Sequence, residues 1–288
     1  MSDTSPGTYT GRQATDKILH ILAEVEKPLP SYMEFYYKIL MTQAGSKIPD
    51  ISEATAMLRE NAEQRLKQAT PALTFPDLSI DWQDTLVLFC EVVELTLKFV
   101  AQEAGEKENL AVCCESADIL EHTAKLWFET GTVPHNNTEH RKTIQPLTSS
   151  VLQATFYPVL SVYADILFPV VTQDRWQKGY CPVCGGYPDF SFLDKERGAR
   201  WLLCSRCDNR WLFKRLECPF CGNDDHTSLA YFTDDHGTYR LYTCDKCYRY
   251  IKAIDLRQMK EEALLPLQRV LTLDMDRQAH EMKYKAEL

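Results

Sequence analysis

Between Arg12 and Phe168 the apolar residues recur at intervals of three and four, the spacing of amphipathic helices. Ile18, Leu19, Leu22 and Val25 mark a helix over about 12–26. Met33, Tyr36, Tyr37, Leu40 and Met41 mark a second over about 31–44, with Pro28 and Pro30 between them. Pro30 stands near the start of that second helix, where a missing N–H costs little. Asp50 with Glu53 reads as a capping pair opening a third helix to about Gln68. A loop with two prolines, Pro71 to Leu78, leads to a helix over about 81–104 carrying Leu86, Phe89, Val93, Leu97 and Val100, and a further helix covers about 106–130. After a polar, turn-rich stretch at 131–143, Ser150 and Gln153 cap a helix that runs past Pro158 to about Phe168; the proline is expected to kink it or to mark its first turn. Residues 1–10 read as a frayed tail. The aromatics and methionines on these faces read as core, and no internal repeat is visible in this half.

At Trp176 the period changes. Short aromatic-rich runs, Tyr187–Leu193, Arg200–Leu203, Trp211–Arg215, Leu229–Thr233 and Tyr239–Thr243, alternate with Gly, Pro, Asn and Asp and read as strands. After Asp255 helical spacing returns in Gln258 to Leu265 and Leu267 to Lys285, broken by Pro266. The fold class expected is α+β: an N-terminal all-helical domain over 1–175, two tandem rubredoxin-like or zinc-ribbon modules over about 176–212 and 213–257, and a short C-terminal helical segment over 258–288.

The chemistry lies in the strand-rich part. Of the 11 cysteines, eight form four C-x-x-C pairs: Cys181/Cys184, Cys204/Cys207, Cys218/Cys221 and Cys244/Cys247. Two intervening residues let one tight turn aim both sulfurs at a point, and two such turns supply four thiolates, enough for a closed tetrahedral metal site. The segments between paired turns, Gly185 to Leu203 and Gly222 to Thr243, are 19 and 22 residues, at or slightly beyond zinc-ribbon spacing. Cys181-Pro-Val-Cys-Gly185 matches Cys218-Pro-Phe-Cys-Gly222, so the region is an internal repeat, and sequential pairing of the knuckles is favoured over an interleaved one. The glycine after the second cysteine can take positive φ and bring backbone N–H groups toward a thiolate. Four soft thiolates suit zinc and iron alike, so two ions of either metal are expected. A dithiol redox motif occurs once near a βαβ pattern, and disulfides need an oxidising compartment; neither fits four pairs in succession.

Composition narrows the rest. No apolar run reaches membrane-spanning length, and residues 1–11 lack the charged start and apolar stretch of a secretory signal, so a cytoplasmic location is expected. The formal net charge of -9, deepened by about two for each tetrathiolate dication site, opposes general affinity for a nucleic-acid backbone. Arg206, Arg210, Lys214 and Arg215 nevertheless cluster with aromatics near the central knuckles. No phosphate loop, nucleophile elbow or H-E-x-x-H motif is present. Cys90 and the adjacent Cys113 and Cys114 read as structural. His226 and His236 read as loop residues beside an already complete ligand set, and His20, His122, His135, His140 and His280 lack ligand spacing. Glu103 to Glu108 reads as a solvated face. Trp201, Trp211 and Tyr250 flank the knuckles, to pack over them or to recognise a partner.

Over Trp176-Gln-Lys-Gly-Tyr-Cys-Pro-Val-Cys-Gly185, Leu203-Cys-Ser-Arg-Cys207 with Trp211, Arg215-Leu-Glu-Cys-Pro-Phe-Cys-Gly222, and Thr243-Cys-Asp-Lys-Cys247 with Tyr250-Ile-Lys252 and Asp255, the chain closely resembles the formate dehydrogenase accessory protein family, FdhE. Leu29-Pro-Ser-Tyr32 with Phe35 and Gln43, and Leu271-Thr-Leu-Asp274, are similar to that family's early and closing helices. Asp208-Asn-Arg210 has no close counterpart. The resemblance implies a helical domain followed by two rubredoxin-like modules, with all eight paired cysteines as metal ligands. It also implies a cytoplasmic, non-enzymatic assembly role, in which the protein associates with the molybdenum- or tungsten-containing catalytic subunit of formate dehydrogenase before export. Two other readings stand beside it: a rubredoxin-like iron electron carrier, and a nucleic-acid-binding zinc-ribbon protein.

Overall fold

The computed structural model describes residues 8–48, 50–51, 53–99, 104–130 and 145–286. The N-terminal part consists of helices α1 (Gly11–Glu24), α2 (Ser31–Gly45), α3 (Thr55–Lys67), α4 (Trp82–Phe99), α5 (Ala104–Cys113), α6 (Ala117–Thr130) and α7 (Pro146–Leu167). The most apolar of these, α7, is the axis: it packs against all six others and buries Leu152, Phe156, Leu160 and Leu167. Against the sequence expectation, the stretch Pro146–Val170 is long and apolar enough to span a membrane, with a mean hydropathy of 1.4. Its 56% burial within the protein is what a core helix needs.

Several helix ends differ from expectation for local reasons. The predicted helix over 106–130 is two helices, because the Ser116 hydroxyl accepts from the N–H of Ile119 and so caps a fresh start. Helix α7 opens at Pro146, not at Ser150 or Gln153, and α3 opens after Ala54 without a side-chain cap, so Asp50 and Glu53 are not its caps. Pro158 lies inside α7, where it leaves the carbonyl of Ala154 without its usual donor. The Gln43 side chain, from α2, fills that vacancy at 2.7 Å. The turn-rich stretch at 131–143 and residues 1–7 of the expected tail lie outside the described residues.

Strands β2 (Pro188–Leu193), β3 (Arg200–Cys204), β4 (Arg210–Phe213), β5 (Leu229–Thr233), β6 (Tyr239–Cys244) and β7 (Arg249–Asp255) form one six-stranded sheet in the order β4-β3-β2-β7-β6-β5. Each half is an antiparallel meander, and the parallel pairing of β2 with β7, from Phe190↔Lys252 to Leu193↔Asp255, fuses them. The joining strand, β7, was not expected, because Lys252 and Asp255, two of its three charged residues, break its apolar pattern. Both are buried and paired: Lys252 reaches Asp276 at 2.6 Å, and Asp255 meets Arg240 and Arg257 at 2.7 Å each.

The C-terminal segment also departs from expectation. The stretch expected as a helix over Gln258 to Leu265 is a 3₁₀ turn at Leu256–Gln258 followed by β8 (Ala263–Leu264). This strand pairs in parallel with β1 (Thr8–Tyr9). Pro266 then opens α8 (Leu265–Leu271) rather than breaking a helix, and α9 (Leu273–Glu281) follows. A single core runs from the helices into the sheet, joining Phe89, Trp127 and Phe156 to Val183, Leu202, Trp211 and Ile251.

Candidate metal centres

All four C-x-x-C turns repeat one backbone device. The residue after the second cysteine has positive φ: 75° at Gly185, 56° at Asp208, 69° at Gly222 and 55° at Tyr248. In that conformation its N–H donates back to the carbonyl of the first cysteine, at 3.0, 3.3, 2.9 and 2.8 Å respectively. Two turns therefore use the glycine that the conformation favours, and two hold a larger residue in it. Backbone N–H groups of Val183 and Arg206 also point at sulfurs, donating to Cys181 and Cys204 at 3.4 Å each.

The turns gather sequentially. Cys181, Cys184, Cys204 and Cys207 form one cluster and Cys218, Cys221, Cys244 and Cys247 the other, with the sulfurs of each within 4.8 Å of one another. The pairs Cys181–Cys207, Cys218–Cys247 and Cys221–Cys244 stand at 3.7 Å and Cys184–Cys204 at 3.4 Å. A tetrahedron with metal–sulfur bonds of about 2.3 Å has edges of about 3.8 Å, so each donor set fits a tetrathiolate ion and is too wide for a disulfide. Each group could hold a metal ion, and the thiolate sphere accommodates zinc or iron equally.

Their surroundings differ. Cys181, Cys184 and Cys204 are 0% exposed and Cys207 1%. The helical layer seals them: Ala72 and Leu73 donate to the carbonyls of Pro182 and Val183 at 2.8 and 2.9 Å, and Lys178 donates to the carbonyl of Ala69 at 2.5 Å. Arg206 plugs the other side. Its guanidinium donates to the carbonyls of Phe128 and Trp127 at 3.2 and 2.9 Å, two of the carbonyls that the end of α6 leaves unpaired, and lies 4.2 Å from the Trp127 ring. A Cβ on Gly186 would come within 2.7 Å of the Arg206 side chain, so the missing side chain makes room for the plug. In the second cluster Cys221 is exposed and Cys247 half-buried. The clusters' supports meet at Gly179, where a Cβ would lie 1.7 Å from the carbonyl oxygen of Pro219.

Electrostatics favours a thiolate in each cluster even without a cation. Burial pushes Cys181 and Cys207 up. At Cys184 burial is outweighed by hydrogen bonds from Cys181, Cys204 and Cys207 and by the Arg206 charge, which bring it well below the ordinary thiol value. Cys218 is brought down to about 5, first by the Cys247 thiol and then, against burial, by the backbone N–H groups of Phe220 and Cys221. One thiolate per cluster is thus stabilised by its neighbours' protons, and a dication would release those protons and take their place.

The other sequence candidates resolve around these clusters. Trp211, Trp201 and Tyr250 are buried and anchored, donating to Lys178 O, Asp194 Oδ2 and Asp276 Oδ1, so they pack rather than present a recognition face. The basic cluster is dispersed: Arg206 is buried, Arg210 stacks on Phe168 at 4.8 Å and Lys214 pairs with Glu217 at 2.6 Å. Cys113 is buried, and Cys90 and Cys114 are half-buried in the helical layer. Among the described residues no histidine joins a cysteine cluster; His226 and His236 are exposed, and His135 and His140 lie outside the described residues.

Sequence reasoning missed the role of Asp208. Its carboxylate is 0% exposed, accepting from Tyr157 at 2.7 Å and from Arg269 at 2.6 Å, while Arg269 also holds Asp189 at 2.9 Å and the carbonyl of Cys204 at 2.8 Å. The second knuckle is thereby tied to α7 and α8. The only signal was a charged residue where two sister turns carry glycine.

With this geometry in view, comparison with known proteins gives a consistent result. A family profile described as the FdhE central domain matches residues 180–215, which include the first two knuckles. An FdhE homologue from Aquifex aeolicus is 31% identical over 246 residues, covering 83% of this chain and 81% of the relative. One from Shewanella oneidensis is 40% identical over 78 residues, 26% of each chain. The crystal structure of the FdhE protein from Pseudomonas aeruginosa shares the fold, with a TM-score of 0.57 at 18% identity over 96% of this chain and 92% of that one. The extent of the Aquifex match and the common fold make this chain a member of the FdhE family of formate dehydrogenase accessory proteins.

Proposed function

We propose that this protein is a cytoplasmic, non-catalytic assembly factor that binds the immature molybdenum- or tungsten-containing catalytic subunit of formate dehydrogenase. In this reading its eight paired cysteines hold two metal ions, zinc or iron, that stabilise the binding scaffold. The observation that carries it is the sealing of the first cluster between the helices and the sheet, with sulfurs at 0–1% exposure. An ion held there is out of reach of substrate and serves the shape of the protein, since small knuckle modules have little other core. Family membership supplies the link to formate dehydrogenase. The test is an affinity pull-down of tagged protein from its native host grown on formate, with partners identified by mass spectrometry and metal measured on the same sample. Recovery of the catalytic subunit, lost in Cys181→Ser, supports the reading; recovery of nucleic acid or unrelated redox proteins alone overturns it.

The exposed Cys221 favours a second reading, in which the second cluster holds iron and passes electrons during maturation. A visible spectrum of anaerobically purified protein separates the two. Colourless protein with two zinc equivalents removes the redox role.

A further inference from the structure

Arg200 opens β3 and is 3% exposed. Its Nη1 donates to the carbonyl of Glu217 at 3.1 Å, but its Nε and Nη2 are buried with no hydrogen-bond partner among the described residues. A guanidinium stays charged, so two unpaired donors held out of water are costly. The Tyr242 ring, 4.9 Å from the guanidinium carbon, offsets only part of that cost. Nε and Nη2 are also the pair that grips a carboxylate side-on, through two parallel hydrogen bonds.

Arg200 lines a cleft of about 160 Å³ between the third knuckle and the β5–β6 hairpin. Its walls are mainly apolar, with Phe220, Tyr231, Tyr242 and Ile251 among them; Arg215 and Arg249 add positive charge to that of Arg200, against the thiolates of Cys218 and Cys244, which also line it. The acid at its rim, Glu217, is drawn to Lys214 at 2.6 Å. A ligand that fits carries a negative group on an apolar body.

Beside the cleft runs β5, at an edge of the sheet, paired among the described residues only with β6 and exposed from Ala230 to Thr233. Its sequence, Leu-Ala-Tyr-Phe-Thr, has none of the charges or prolines that usually blunt an edge against pairing. Tyr231 is 55% exposed, Phe232 40%, and Leu216 across the cleft 73%. That apolar surface extends beyond what a small carboxylate would cover, and it adjoins a strand edge that no described residue pairs with.

We propose that the cleft and edge together dock an extended segment of a protein partner bearing a glutamate or aspartate. The segment adds to β5 as a seventh strand, and its carboxylate enters the cleft, where the Arg200 guanidinium turns to donate to it through Nε and Nη2. The site rests on the partner-binding role proposed above but not on the partner's identity, so a peptide measurement can fail while the pull-down succeeds, and the reverse.

The test is fluorescence anisotropy on metal-replete, full-length protein, with a labelled Thr-Val-Thr-Glu-Val-Thr-Val peptide and its Gln counterpart. The Gln peptide is expected to bind at least about tenfold more weakly, and Arg200→Gln to weaken the Glu peptide by a similar factor. Tyr231→Glu, an exposed change that places a like charge at the mouth, is expected to weaken it as well while retaining both metals. Equal affinity for the two peptides, unchanged binding in Tyr231→Glu, or no binding at about 1 mM peptide overturns the proposal. So does 3-phenylpropionate competing as tightly as the peptide, which would make the cleft a small-carboxylate site.

Discussion

The carboxylate of Asp208 joins the second knuckle to two helices, and its loss has a size that follows from its contacts. It is wholly buried, 2.6 Å from Arg269 and 2.7 Å from the Tyr157 hydroxyl, on a backbone at φ 56°. Removing one member of a buried ion pair costs about 3–5 kcal/mol. Arg269 keeps Asp189 and the carbonyl of Cys204, which places Asp208→Asn near the lower end, at about 3 kcal/mol. Asparagine tolerates positive φ and still accepts from Tyr157. Asp208→Ala loses that acceptor, about 1 kcal/mol, and adds about 1 kcal/mol of left-handed strain, for a total of about 5 kcal/mol. Asp208→Gly escapes the strain and falls between, at about 4 kcal/mol. Urea unfolding of metal-replete protein, with a slope of about 3 kcal/mol per molar, should show midpoints lower by about 1.0, 1.3 and 1.7 M for Asn, Gly and Ala. An Asn variant within about 0.2 M of the parent would refute the ion-pair argument. Glycine no more stable than alanine would refute the backbone one.

Three further outcomes follow from the same geometry. Gly179→Ala would drive a methyl group into the backbone at Pro219, and because backbone cannot swing aside it should cost about 3 kcal/mol or more; an unfolding midpoint like the parent's would show that the two knuckle modules are not wedged there. A chelator should strip metal in two phases, the second cluster, open at Cys221, losing its ion at least about tenfold faster than the sealed first one, as followed by metal content over time; a single phase would contradict the difference in burial. Burial pushes Asp189 up to about 6 against the pull of Arg269, with Asp208 adding to the rise. A carboxyl whose folded value exceeds its unfolded one contributes stability that is complete below about pH 4 and is lost as pH rises through about 6. The stability of Asp189→Asn relative to the parent should therefore increase between those pH values, and a difference that stays flat in chemical denaturation would remove the assignment.

Much of this architecture could be read along the chain, and the parts that could not share a cause. The helices of the N-terminal half were visible because each turns one apolar stripe inward, and periodicity records that. The split at Ser116 was not, because one hydroxyl-to-backbone bond decides it. Strand β7 was hidden by Lys252 and Asp255, whose charges argue for a surface until their partners, Asp276, Arg240 and Arg257, are brought to them from elsewhere in the chain. The same holds for Arg206: in sequence it belonged to a basic cluster near the central knuckles, and in the fold it closes the first cysteine cluster.

The sequence by itself determined the donor sets proposed to hold metal. Two-residue spacing confines each pair of sulfurs to one turn, and the repeated Cys-Pro-x-Cys-Gly identifies the repeat, because these are local constraints that no distant contact can change. Only the tertiary structure decided how the two modules relate. The parallel pairing of β2 with β7 makes them one sheet. The helical layer buries one cluster and leaves the other partly open to solvent, because packing partners are chosen by shape and charge across long separations in the chain, and neither leaves a periodic trace in either partner's sequence.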